Sequence, residues 1–317
     1  MQLEGVTVED TFAEAFPMWA ARLVVTARDL EWAMTAARVA TGMATSVIGC
    51  GAEAGVEGPV EETPDGRPGV SFLVFAPTRE ALARELVRRV GQAIMTCPTT
   101  ACFDGLAGDG EAARDGPAAD AGGAAGSSRV PLGRALRLFG DGYQSAKQLG
   151  GRRYNRIPVM DGEFLVEDAV RAVPAVGGGN FLVLGADEGA ALEAAAAAVR
   201  AIREQVPGVI LPFPGGIVRA GSKVGSRYRH VPASTNHRFC PTLRARVEDT
   251  ALPEGVGAVY EVVVDGLTLE AVTAAVRVGV RAACRPGVLR ITAGNYGGKL
   301  GPYRIDLRAA VAGEVPC

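Results

Sequence analysis

Short apolar runs alternate with amphipathic stretches along the chain, and their order repeats. Residues 21–27 (ARLVVTA) read as a strand, and residues 30–41 carry apolar side chains at helical spacing. A strand-like segment follows at 46–50, and a strong strand at 70–76 (VSFLVFA). Residues 80–94 form an amphipathic, charge-paired helix. The second half begins with a strand at 181–185 (FLVLG) and a long Ala-rich helix at 187–205, which Pro207 and Gly208 end. Short strands at 209–211 and 217–220 flank a PFPGG turn. A strand at 259–264, a helix at 268–283 and strands at 288–292 and 303–307 complete the pattern. Each half approximates β-α-β-β-α-β, the split βαβ arrangement. The fold expected is therefore α+β, with two ferredoxin-like lobes whose antiparallel sheets carry helices on one face. A doubly wound parallel sheet is the alternative reading of the same alternation.

Composition adds boundaries to this pattern. Residues 105–129 (GLAGDGEAARDGPAADAGGAAGSSR) are almost wholly Gly, Ala, Ser and charged residues without an apolar period, which reads as a flexible insertion. The expected division is residues 1–147 and 148–317, with the insertion in the first lobe. A second punctuation, GGGN at 177–180, precedes the strand at 181–185.

Charge and rare residues narrow the chemistry. Lys and Arg total 33, Asp and Glu 35, and the net charge of -2 argues against a generic phosphate-backbone binder. No apolar run is long enough to span a bilayer, and the acidic opening MQLEGVTVEDTF lacks a secretory pattern, so a soluble cytoplasmic protein is expected. Six cysteines form no CxxC pair, and the two histidines, His230 and His237, have no nearby Cys pair. Neither a disulfide framework nor a metal site is expected. With so little His, acid-base work falls to a carboxylate.

The glycine-rich loops are not nucleotide motifs. In AGNYGGKLG a P-loop would need Gly where Ala293 stands and Ser or Thr where Leu300 stands. GGGN precedes a strand, whereas a dinucleotide loop follows one. Pro-fixed turns at 61–69 (EETPDGRPG), 212–216 (PFPGG) and 232–236 (PASTN) suit a binding surface, though each could be an ordinary loop.

Glu261 is the most informative single residue. With period two it shares a face with Val259 and Val263, and the opposite face (Tyr260, Val262, Val264) is apolar as well. Both faces look buried, so desolvation should raise the carboxyl pKa and leave an acid able to donate to a developing oxyanion. The competing reading is an edge-strand Glu, or one paired with a base such as Lys223.

Several idiosyncratic strings carry a family resemblance over nearly the whole length. They include VEDTFAEAF from Val8, TGMATSVIGCGAEAG from Thr41, EETPDGRPGV from Glu61, IMTCPTTACFD from Ile94 and FGDGYQ from Phe139. Further matches are GEFLVED from Gly162, PFPGGIV from Pro212, SKVGS from Ser222, PASTN from Pro232 and AGNYGGKLG from Ala293. In these the chain resembles formylmethanofuran:tetrahydromethanopterin formyltransferases; the insertion does not align. The resemblance implies reversible transfer of a formyl group between methanofuran, or an analogue, and N5 of tetrahydromethanopterin. Both would be carrier substrates, with no tightly bound cofactor or metal. It implies two α+β lobes, a homodimer or homotetramer, and a catalytic glutamate in a Tyr-Glu strand, here Glu261. Matching strings and loop chemistry together point to Pro212, Phe213, Gly215, Gly216, Lys223, Ser234, Thr235 and Asn236 for substrate binding. The Ala-, Gly- and Arg-rich composition suggests a GC-rich bacterium, where the family resemblance points to formaldehyde oxidation beside formylmethanofuran hydrolase subunits. The methanogenic direction and a non-catalytic scaffold subunit are the alternatives.

Overall fold

A computed structural model describes residues 1–106, 128–149 and 151–313. Most of the expected insertion therefore lies outside the described residues. The chain folds as two compact units, Met18–Ala175 and Met1–Pro17 with Val176–Cys317. Residue 147, where the sequence division was drawn, lies within a strand of the first of these (Ser145–Leu149).

The elements of Met18–Ala175 run β1 (Phe12–Thr26, whose residues 12–17 belong to the other unit), α1 (Leu30–Thr41), β2 (Glu53–Val60), β3 (Gly69–Ala76), α2 (Arg79–Arg89) and β4 (Ala101–Asp104). Strand β1 pairs antiparallel with β3 and β4, and β2 with β3, so the spatial order is β4-β1-β3-β2. This is the ferredoxin-like order. The sheet is then extended by β5 (Arg152–Val159) and β6 (Gly162–Glu167), with β6 parallel to β4.

The second unit repeats the plan with β7 (Val170–Gly185), α3 (Glu188–Gln205), β8 (Val209–Ile210), β9 (Ala258–Gly266), α4 (Leu269–Ala283) and β10 (Val288–Thr292). Its order is β10-β7-β9-β8, all antiparallel. A further strand, β11 (Tyr303–Asp306), pairs with Phe12–Ala15. The α+β class and the repeated β-α-β-β-α-β order read from the sequence are those of the fold.

The four main helices begin alike because their sequences cap alike. Asp29, Thr78, Asp187 and Thr268 each accept a hydrogen bond from the backbone N–H of the third helical residue. The buried face of α3 is mostly alanine (Ala191, Ala194, Ala195, Ala198), which lets α4 approach closely.

Four sequence expectations change. Residues 46–50 form a helical turn rather than a strand, because Ser46 caps Val47–Cys50 and Gly51 closes it at φ 74°; the strand starts at Glu53. The GGGN run lies inside β7 rather than before it. Gly178 sits at φ +84° in a bulge, and a Cβ at Gly179 would meet Val272 of α4 at 2.2 Å, so small residues are required mid-strand. Residues 217–220 make only a bridge, Val218 to Glu261, before the chain turns away. Lastly, the two faces of β9 are not equally covered. Val262 and Val264 are fully buried under α3 and α4, whereas Val259, Glu261 and Val263 keep some exposure.

Candidate functional site

Antiparallel pairing places directly opposed residues on one face of a sheet. Glu261 opposes Leu182, which on its other side opposes Thr292. Val259 opposes Leu184, which opposes Arg290. Phe181 and Val183 point instead into the helical core. Glu261, Thr292 and Arg290 therefore share the sheet face that the helices leave open. The excursion 211–257, between β8 and β9, covers that face: Leu252, Val256 and Phe239 pack on Leu182, Leu184 and Val259.

The Glu261 side chain is set by its neighbours on this excursion. Its backbone N–H and C=O bridge to Val218 at 3.1 and 2.7 Å. A Cβ added to Gly221 would stand 2.9 Å from Oε2, so the glycine lies against the carboxylate. Among the described residues, no hydrogen bond or ion pair holds this carboxylate, Lys223 included. Desolvation, with nothing to oppose it, pushes its pKa up to about 7. It is thus half protonated near neutrality and retains enough exposure to exchange a proton.

A cavity of about 560 Å³ opens on the same unit, within the size range of ligand pockets. Lys223, Asn236, Arg238 and Phe239 line it from the excursion, Arg290 and Thr292 from β10, and Gly294 to Tyr296 from the following loop. Arg290 is neutralised by Glu9 at 2.6 Å and Arg238 by Asp249 at 3.2 Å. Glu261 does not line this cavity. Thr292, which does, lies two strand spacings away, about 10 Å. Tyr296 links them: its hydroxyl donates to the Ser222 carbonyl, and its own pKa is raised to about 12 by burial and by the charges of Glu261 and Glu14.

The eight residues predicted for substrate binding divide. Lys223 and Asn236 line the cavity. Ser234 hydrogen-bonds to the Gly225 carbonyl and Thr235 meets Cys240, so both shape the hairpin Ser222–Val224/Ala233–Thr235. Pro212, Phe213, Gly215 and Gly216 form a turn whose Gly216 packs against Val199 of α3, and which delivers Val218 to Glu261. Sequence reasoning missed Arg290, Thr292, Tyr296 and the fully buried Glu14. The signal for Glu14 was a carboxylate between Ala13 and Ala15 in an apolar strand, the same signal that singled out Glu261. Neither histidine lines the cavity, and no group of three His, Cys, Asp or Glu among the described residues could hold a metal ion. No helix among them is long and apolar enough to cross a membrane.

The contact at Gly221 yields a prediction. Gly221→Ala should lower kcat about 10-fold by crowding the carboxylate, with Tm within about 2 °C, since the neighbour is the end of a movable side chain. Unchanged turnover would show that the Glu261 carboxylate need not stay where Gly221 leaves it.

Comparison with known proteins places the chain in a family. The family model described as formylmethanofuran-tetrahydromethanopterin formyltransferase matches residues 1–159, and that described as the proximal lobe matches residues 162–310. A formylmethanofuran–tetrahydromethanopterin formyltransferase of Methylococcus capsulatus is 50% identical over 98% of this chain and all of its own length. The solved formyltransferase of Methanosarcina barkeri superposes with a TM-score of 0.86 at 44% identity, covering 98% of this chain and 100% of that one. A chain of the formyltransferase/hydrolase complex of Methylorubrum extorquens, solved with methylofuran, gives 0.89 at 50% identity, covering 98% of each.

Proposed function

This chain belongs to the formylmethanofuran-tetrahydromethanopterin formyltransferase family, and from that premise we propose that it transfers a formyl group between a methanofuran-type amine and N5 of a tetrahydromethanopterin-type pterin. The observation that carries the reading is Glu261, an ion-unpaired carboxyl set against Gly221 on the sheet face that the excursion covers, where burial raises its pKa to about 7. The acceptor amine adds to the formyl carbon, forming a C–N bond and a tetrahedral oxyanion. Protonated Glu261 donates to that oxygen or to the departing nitrogen, the old C–N bond breaks, and the proton lost by the attacking amine restores the acid. One N-formyl bond replaces another, so the exchange is near thermoneutral and runs both ways. Much of the rate comes from holding two large carriers together, for which Lys223 and Asn236 are placed in the cavity wall.

The direction proposed is from pterin to furan, next to hydrolase subunits that release formate. The support is the similarity to a chain of the Methylorubrum extorquens formyltransferase/hydrolase complex. Self-association into a dimer or tetramer rests on the family resemblance. A tagged chain tests both readings. Purified alone, it should deplete formyl-tetrahydromethanopterin in the presence of methanofuran; drawn from its own cells, it should bring hydrolase subunits with it. Folded protein that turns over no methanofuran analogue would favour a scaffold role, and capture without hydrolase subunits would count against the bacterial complex.

A further inference from the structure

The loop Gly294–Gly301 is long, glycine-rich and irregular, yet it forms part of the cavity wall and carries Tyr296. Such a loop needs something to fix it, because its glycines lose much backbone freedom on ordering. Two buried polar side chains supply this. At its start, Asn180 of β7 grips Gly294 from both sides: its Oδ1 accepts from the Gly294 N–H at 2.6 Å and its Nδ2 donates to the Gly294 carbonyl at 3.3 Å. Further along, Glu14 of β1 accepts three backbone N–H bonds. Oε1 receives those of Tyr296 and Gly298, each at 2.6 Å, and Oε2 that of Leu300 at 2.9 Å. Gly297 and Gly298 take φ of +69° and +80°, turning successive amides inward. Glu14 has no exposed surface. Burial alone would raise its pKa, but the three donors and the charge of Arg304, its cross-strand neighbour, outweigh burial and hold it below the usual carboxylate range. Its charged form is therefore favoured, and a backbone nest is the partner for that charge.

We propose that Glu14 is a positioning residue for formyl transfer: its carboxylate sets the path of the 294–301 loop and thereby places Tyr296 between the cavity and Glu261. The inference rests on the formyltransferase reading above. It assigns a role to a residue of the VEDTFAEAF string that the chemistry of Glu261 leaves unused. Charge and shape are both needed. A glutamine in the same place offers one carbonyl oxygen and turns an NH2 group toward a backbone N–H, so it cannot serve three donors. An aspartate keeps two acceptor oxygens but falls short of the loop.

The test compares Glu14→Gln, Glu14→Asp and Tyr296→Phe with the wild type by amide hydrogen exchange and by steady-state kinetics. In Glu14→Gln, exchange at Tyr296, Gly298 and Leu300 should speed up about 100-fold, and kcat/KM should fall about 10- to 100-fold, chiefly in kcat. Glu14→Asp should recover part of both. The double variant Glu14→Gln/Tyr296→Phe should lose no more than its worse single parent, which a merely stabilising Glu14 would not give. Folded Glu14→Gln with those amides still protected overturns the proposal, as does loosening with kcat and KM both within twofold of wild type. If Glu14→Gln does not fold, a Glu14→Asp chain matching wild type in both readouts overturns it. A wild-type chain without turnover would sink the formyltransferase reading instead, and the exchange data would still decide what holds the loop.

Discussion

Glu261→Gln should lose about 100- to 10,000-fold in kcat and yet become more stable above neutral pH. The rate loss is the usual span for removing a positioned acid-base group. The stability gain follows from the direction of the pKa shift. In the folded chain the carboxyl titrates near 7; unfolded, it returns to about 4.3. Between those values the folded state holds a proton that the unfolded state has released. The stabilisation contributed by the neutral carboxyl is thus complete below about pH 4 and lost as pH rises through 7. The span corresponds to about 4 kcal/mol, as an upper value because the side chain keeps some exposure. Glutamine stays neutral throughout, so the variant's advantage in unfolding free energy should be absent at pH 4 and grow to its full size by pH 8. In the wild type, kcat/KM for the step that consumes the acid should fall above about pH 7. A variant that turns over within twofold of wild type, or whose stability runs parallel to wild type from pH 4 to 8, would remove Glu261 from the mechanism.

The same residue shows how far one sequence reaches. The alternation in AVYEVVV exposed a carboxylate in an apolar strand, and the split βαβ order came from two periods, 2.0 and 3.6, that local sequence carries directly. The register between strands is not local. That Glu261, Leu182 and Thr292 form one row across β9, β7 and β10 depends on hydrogen bonds between segments 79 (Leu182 to Glu261) and 110 (Leu182 to Thr292) residues apart. Arg290 and Thr292 therefore looked like ordinary strand residues. Val47 and Ile48 misled in the opposite sense. Their β-branched side chains favour a strand, but Ser46 caps a helical turn and leaves Ile48 largely exposed. The glycines at 177–179 read as a break because the helix packed on them, α4, is invisible from that stretch alone. AGNYGGKLG lacks the residues of a phosphate loop, and the anion its amides meet, the Glu14 carboxylate, lies 282 residues away from Tyr296.

A second large effect belongs to stability in the Met18–Ala175 unit. Glu167→Ala should cost about 3–5 kcal/mol and lower Tm by roughly 10 °C. Glu167 is 2% exposed and closes the parallel β4–β6 pairing. Its Oε2 accepts from the Asp104 N–H at 2.8 Å, and both oxygens take the Arg152 guanidinium, whose Nε lies 3.0 Å from Oε1. Arg152 also donates to the Asp104 carbonyl at 3.2 Å, and the Asp104 carboxylate engages Arg171. Removing Glu167 leaves a partly buried guanidinium without its carboxylate and a buried backbone N–H without an acceptor, and both penalties fall on the folded state alone. Two controls separate this account from simple loss of volume. Glu167→Gln keeps an acceptor and most of the packing, so it should lose less than the alanine variant. Glu167→Leu combined with Arg152→Met removes both charges together, and should be more stable than Glu167→Leu alone because no orphaned cation remains. If the paired replacement were the less stable of the two, the cost at Glu167 would lie in shape and not in its charge. If Glu167→Ala melted within 2 °C of wild type, the network would contribute nothing measurable to the fold.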